Sequence, residues 1–103
     1  VTVLLIDGLE MTISVDKAQW TGIDPLTYTL LITNTSSLPY VGPITLKTNA
    51  FDSTLDCDTD SVTVTWNTLG SADFTGGVLT VVLNDDISEG GGTSTITFQI
   101  TLL

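Results

Sequence analysis

Side chains that could do chemistry crowd most closely in Asp56-Cys57-Asp58-Thr59-Asp60. Carboxylates at alternate positions are how a calcium loop begins, because successive odd positions hand hard oxygen ligands to a hard cation. The rest of such a loop is missing. Ser61 stands where the sharp turn needs glycine, and Asn67 where a bidentate glutamate would close the shell. Asp56, Asp58 and Asp60 are thus the candidate metal ligands, for calcium, with Asp52 as an addition, set against a plain solvated acidic loop. Asp85, Asp86 and Glu89 make a second cluster, and a chain with 12 acids carries such clusters without function. Cys57 lies between two carboxylates whose charge raises its thiol pKa and blunts its reactivity.

The chain has no histidine, which removes nucleophilic catalysis of the Ser-His or Cys-His kind. Asp-Thr-Gly of the aspartic-protease type is absent as well, and a small domain without a cleft does not suit a pair of glycosidase carboxylates. No enzymatic activity is expected, and no cofactor is expected apart from calcium. Asn34-Thr35-Ser36 is a glycosylation sequon in what reads as an exposed turn. Trp20, Tyr40 and Trp66 could line a surface for glycans, against the simpler reading of Trp66 as core or rim packing. Lys17 or Lys47 could form an isopeptide bond with an asparagine, though spacing identifies no assisting acid.

Composition bounds what could hold such groups. The 103 residues suffice for one domain with one core, and a single cysteine forms no internal bridge. Twelve acids against two lysines give a net charge of -10, which repels phosphate and anionic lipid and argues against nucleic acid as a partner. No apolar run approaches the roughly 18 residues that span a bilayer, so no membrane insertion is expected. Hydrophobic residues at 42% are too many for a disordered acidic tail. The sequence opens at Val1 without methionine, which reads as a leader removed during secretion or an excised piece. Threonine richness and lysine scarcity likewise suit an extracellular or cell-surface protein.

The elements are strands. Leu26, Tyr28, Leu30 and Ile32 alternate with Thr27, Thr29 and Thr33, which is the period of a pleated strand with one buried face. Asn34 to Pro39 then turns the chain back. Met11 to Asp16, Ile44 to Thr48, Val62 to Trp66 and Thr95 to Leu102 repeat the alternation, with Pro43 and Lys47 marking Ile44 to Thr48 as an edge. Val78 to Leu83 is apolar throughout. Residues 50–61 read as the longest polar connection and residues 67–77 as a loop rich in Gly and Ser, with Leu69 and Phe74 as inward plugs. Gly90 to Gly92 is either a flexible loop or a tight turn with positive φ. Seven to eight short strands in a chain of this length predict an all-β fold, an immunoglobulin-like or jelly-roll β-sandwich.

Leu26-Thr27-Tyr28-Thr29, Ile32-Thr33-Asn34-Thr35-Ser36-Ser37, Val64-Thr65-Trp66 and Ser88-Glu89-Gly90 before Thr95-Ile96-Thr97-Phe98 together resemble the Ig-like conserved-repeat domains of prokaryotic cell-surface proteins. The match covers roughly residues 11–103, with Ser36 where that family usually has glycine. The Asn34 to Pro39 turn also resembles that of secreted biofilm fibre proteins of the TasA and camelysin type. Both resemblances imply an extracellular sandwich with a structural or adhesive role.

Residues 1–10 fall outside that match and residues 11–103 form the expected sandwich domain. Val1 to Ile6 is apolar on both faces, so it needs cover on both sides. It is either an interior strand of its own domain or a strand donated to a neighbour, with Val1, Val3, Leu4, Leu5 and Ile6 as the subunit contacts. The second alternative makes the protein the self-associating subunit of a fibre, a pilus-like filament or a surface layer. Its rivals are a monomeric repeat of a surface protein or adhesin, and a calcium-dependent carbohydrate-binding module.

Overall fold

A computed structural model describes residues 8–103; the expected donor segment, Val1 to Ile6, lies outside the described residues. Seven strands follow one another: β1 (Glu10–Val15), β2 (Leu26–Asn34), β3 (Ile44–Lys47), β4 (Leu55–Thr65), β5 (Leu69–Thr75), β6 (Val78–Leu83) and β7 (Gly92–Leu102). They form two antiparallel sheets, one of four strands in the order β1-β2-β7-β4 and one of three in the order β3-β6-β5. The fold is all-β, as the alternation predicts. Leu9 is buried with the core and Glu10 opens β1, so the sandwich takes in two residues before the expected boundary.

The strand order selects between the two sandwiches expected. In an immunoglobulin domain of constant type the fifth strand lies between the second and fourth. Here β7 holds that place and β5 lies at the edge of the other sheet. The pairs are nested, β2 with β7 and β3 with β6, as in one long hairpin wound on itself, which is the jelly-roll alternative.

The core is the set of inward positions that the alternation identifies. Leu26, Leu30 and Ile32 from β2 and Ile96, Phe98 and Ile100 from β7 meet Ile44, Leu46, Leu79, Val81 and Leu83 from the other sheet. At the end of the sandwich where β7 finishes, Phe51 packs edge-on to Phe98 and Tyr28, and Tyr28 stacks on Phe98 with ring centroids 5.4 Å apart. Gly77 (φ 79°) lets the β5–β6 turn approach Phe51, whose N–H donates to the Gly77 carbonyl at 2.8 Å. A side chain there would strike the Phe51 carbonyl, so glycine is required twice over.

Two segments expected to be connections are strands. Residues 55–61 belong to β4, where Asp56, Asp58 and Asp60 point outward while Leu55, Cys57 and Thr59 are more buried. The period is present, but acids on one face of an edge strand made it read as polar. A register irregularity between Asp58 and Thr63 then breaks the ladder with β7. Residues 69–75 form β5, with Leu69, Ala72 and Phe74 turned to the core. An irregularity between Leu69 and Ser71 interrupts the alternation there. Gly90 (φ 71°) and Gly91 (φ 99°) make the tight turn rather than the flexible loop, and Lys47 is exposed on an edge strand as Pro43 predicts.

Among the described residues Lys17 and Asp16, 3.1 Å apart, form the one ion pair, so the remaining acids repel one another largely unopposed. Asp16 is nevertheless held below the usual carboxylate range, chiefly by the Thr27 N–H donated to it, and Asp52 is held low by the N–H and hydroxyl of Thr54. A depressed folded pKa stabilises above the unfolded value and is lost as pH falls through the folded one. The stability that Asp16 and Asp52 contribute should therefore be present at pH 7 and the melting temperature should fall below about pH 4 as they protonate. Added NaCl should raise the melting temperature at pH 7, where the excess of acids is charged. Calorimetry across pH and salt checks this, and a curve flat in both would contradict it.

Candidate assembly surface

The two sheets are unequal, and the inequality falls on one flank. β4 packs against β5 across the layers and Leu30, Ile96 and Phe98 face Leu46, Leu79 and Val81, so the orders of the two sheets leave no described strand opposite β1. Met11 and Ile13 sit opposite Ile32 and Leu30 and so point to the core side. They are only half-buried, and Val15 is 42% exposed, whereas Ile32 and Leu30 are buried. β1 packs along β2, with Met11 and Ile13 against the core. The described residues leave its apolar face partly uncovered.

Among the described residues β3 is the outer strand of the second sheet. Thr48 N–H donates to the Leu79 carbonyl at 3.0 Å, which fixes the phase of the ladder with β6. Alternation along an antiparallel pair then turns the N–H and C=O of Thr45 and Lys47 away from β6. A crevice of about 10 Å³ opens between the sheets among Leu30, Leu46, Leu79, Val81, Ile96 and Phe98, with Lys47 and Thr48 at its rim. It holds about one water and is far too small for a ligand pocket. The surface suits another strand, not a small molecule.

The acids singled out in the sequence are spread along a strand. Asp56, Asp58 and Asp60 are exposed on β4, and no group of three or more carboxylates, thiols or imidazoles converges among the described residues. Asp58 instead shapes the β4 irregularity: its carboxylate accepts the Asp60 N–H at 3.0 Å and its carbonyl accepts the Ser61 hydroxyl. The Asp85 carboxylate accepts the Thr68 hydroxyl at 2.6 Å, and that of Asp86 ties backbone, accepting Gly42 N–H at 2.7 Å. Cys57 is buried, and burial first, then Asp56 and Asp58, pushes its thiol up to about 11. The order of those causes differs from the expectation, which credited the neighbouring charges alone.

Asn34 corrects the sequon. It is not in an exposed turn but fully buried, because it continues the inward phase of Leu30 and Ile32. Its Nδ2 donates to the carbonyls of Leu38 (2.8 Å) and Ile87 (3.0 Å), and its Oδ1 accepts the N–H and hydroxyl of Ser36. The amide that would carry a glycan thus clasps the β2–β3 and β6–β7 connections together. Ser94 and Thr48 do similar service in phase with Ile96 and Leu46; Ser94 Oγ donates to the Trp66 carbonyl and Thr48 Oγ1 accepts the Leu79 N–H.

The aromatic trio does not gather. Trp20 lies in the β1–β2 connection, at the end opposite Tyr40 and Trp66, which belong to the β2–β3 and β4–β5 connections. Trp66 is 73% exposed at φ 61° rather than packed as core or rim. Lys17 is taken up by Asp16 and by the Pro25 carbonyl at 2.9 Å, not by an asparagine. Comparison with family models, curated proteins and solved structures finds no match for this chain.

Removing the Asn34 amide breaks the two bonds that tie the connections together, leaving the Leu38 and Ile87 carbonyls only Ser36 Oγ–H and Tyr40 N–H, and takes the shared acceptor from the N–H and hydroxyl of Ser36. Asn34→Ala should lower unfolding stability by about 3 kcal/mol, with Asn34→Asp between it and the native chain. Urea denaturation measures this; a change under about 0.5 kcal/mol would contradict the clasp.

Proposed function

We propose that the chain is the structural subunit of an extracellular fibre or surface layer, polymerising by β-strand addition with Val1 to Ile6 as the donated strand. The observation that carries this reading is that, among the described residues, the second sheet has one strand fewer than the first and the core-facing side of β1 is half-covered. Val1 to Ile6 supplies what that flank lacks: an uncharged run of six residues with apolar side chains on both faces. Main-chain pairing gives such a contact its strength and alternate side chains give it register.

The ends of the sandwich fit the same reading. The described residues extend 43 Å along their longest axis. Leu38, Val41 and Trp66 are exposed at one end, and Ile23 and Leu103 at the other. β1 begins at the end that carries Leu38. Two different surfaces meeting head to tail generate an open filament rather than a closed ring when the rotation does not close. Cell-surface location accords with the composition, and the partner is another copy of this chain.

Deleting residues 1–8 should abolish polymerisation while leaving a chain that folds, or that is rescued by an added Val1 to Ile6 peptide. Electron microscopy of the full and truncated chains, with light scattering, reads the outcome. Fibres from the truncated chain, or a monodisperse monomer from the full one, would overturn the reading; the monomer would favour a surface-protein repeat.

A further inference from the structure

We infer that the Asp24–Pro25 peptide bond is a self-processing site: the Asp24 carboxylate cleaves it, and the Lys17 amine captures the acyl group as an isopeptide bond. This chemistry goes beyond assembly and does not depend on it.

The β1–β2 connection gathers the groups that the reaction needs. Asp16 N–H donates to the Thr27 carbonyl at 3.1 Å and the Asp16 carboxylate accepts the Thr27 N–H at 2.9 Å, which clamps the two ends of the connection together. Lys17 and Pro25 are neighbours for that reason. Lys17 Nζ donates to the Pro25 carbonyl at 2.9 Å and to the Asp16 carboxylate at 3.1 Å. The Trp20 indole N–H donates to the Asp24 carbonyl, and Trp20 packs against the core, so that donor is fixed in place. Of the three prolines only Pro25 follows an aspartate.

Residue types and placement match a definite sequence of steps. An aspartate carboxylate reaches its own main-chain carbonyl through a five-membered ring, which makes the attack intramolecular. Asp24 Oδ adds to the Asp24 main-chain carbon, and the charge that develops on the carbonyl oxygen meets the Trp20 N–H already aimed at it. Collapse breaks the C–N bond to Pro25 and leaves a cyclic anhydride at Asp24. Lys17, held on the residue whose nitrogen departs, gives its ammonium proton to that nitrogen. The amine so freed attacks the anhydride at Cγ, forming the isopeptide bond and releasing the Asp24 main-chain carboxylate. The proton lost from the amine completes the Pro25 ammonium. One amide bond is exchanged for another, with no oxidant and no water consumed. β1 keeps its ladder with β2, so residues 1–24 and 25–103 stay associated after scission.

Intact mass spectrometry of the full chain, as purified and after incubation at neutral pH, tests the inference. The chain should convert to pieces 1–24 and 25–103 that separate only on denaturation. Piece 1–24 should be one water lighter than hydrolysis would leave it, and fragmentation should place the link between Lys17 and Asp24. Asp24→Ala, at an exposed position, should fold by circular dichroism and stay whole. Lys17→Arg should still be cleaved, more slowly, with piece 1–24 now carrying the added water. Trp20→Phe should slow scission about a hundredfold, as loss of one donor to a developing oxyanion does; the other two variants decide the matter should it fail to fold. An unaltered chain that stays whole would overturn the inference. Scission at the same rate in urea-unfolded chain would also overturn it, by marking an ordinary labile Asp–Pro bond, and a piece 1–24 with the full water in the unaltered chain would leave Lys17 no part.

Discussion

A sandwich of unequal sheets cannot bury every inward face, and that constraint governs this molecule. Two sheets about 10 Å apart cover each other strand for strand, so the strand in excess has no opposite number. Here the excess strand is β1. Completing the burial of Met11, Ile13 and Val15 is worth about 1 kcal/mol for each side chain, small beside the core but concentrated on one strand. A further strand packed across from β1 would supply that cover.

The nested topology explains why, among the described residues, the β4–β5 flank is the one covered in both layers. β4 and β5 follow each other through a short turn and face across the layers, so the chain closes that side by its own connectivity. Buried polar residues close the end where β2–β3, β4–β5 and β6–β7 connect. Asn34 and Ser94 have no exposure, and no buried polar side-chain atom among the described residues lacks a partner. A body braced at one end and one flank leaves a single side on which an added strand restores symmetry.

Much of the fold was legible because period two survives wherever one face is apolar. β2, β3, β6 and β7 follow their alternation closely, and the edge character of β3 was visible in Pro43 and Lys47. The first half of β4 and all of β5 were hidden. Aspartates on the exposed face and irregular registers with β7 and β6 erased the signal that local pattern carries. The order of strands depends on pairings far apart in sequence, which left immunoglobulin and jelly-roll arrangements equally open. Asn34, Thr48 and Ser94 share one missed clue: each extends an inward phase by a single step past the apolar run. Reading phase before polarity would have put the sequon asparagine inside. The flank itself was invisible in the sequence, since it arises from unequal sheets rather than from any motif.

Amide hydrogen exchange along the outer strands β1, β3, β4 and β5, compared between assembled full-length chain and the chain lacking residues 1–8, reports directly on whether copies join by strand pairing. The account predicts amides on one outer strand that exchange slowly in the assembled material and fast in the truncated chain, with the amides of β2 and β7 protected in each. Equal exchange along every outer strand in both samples would contradict it.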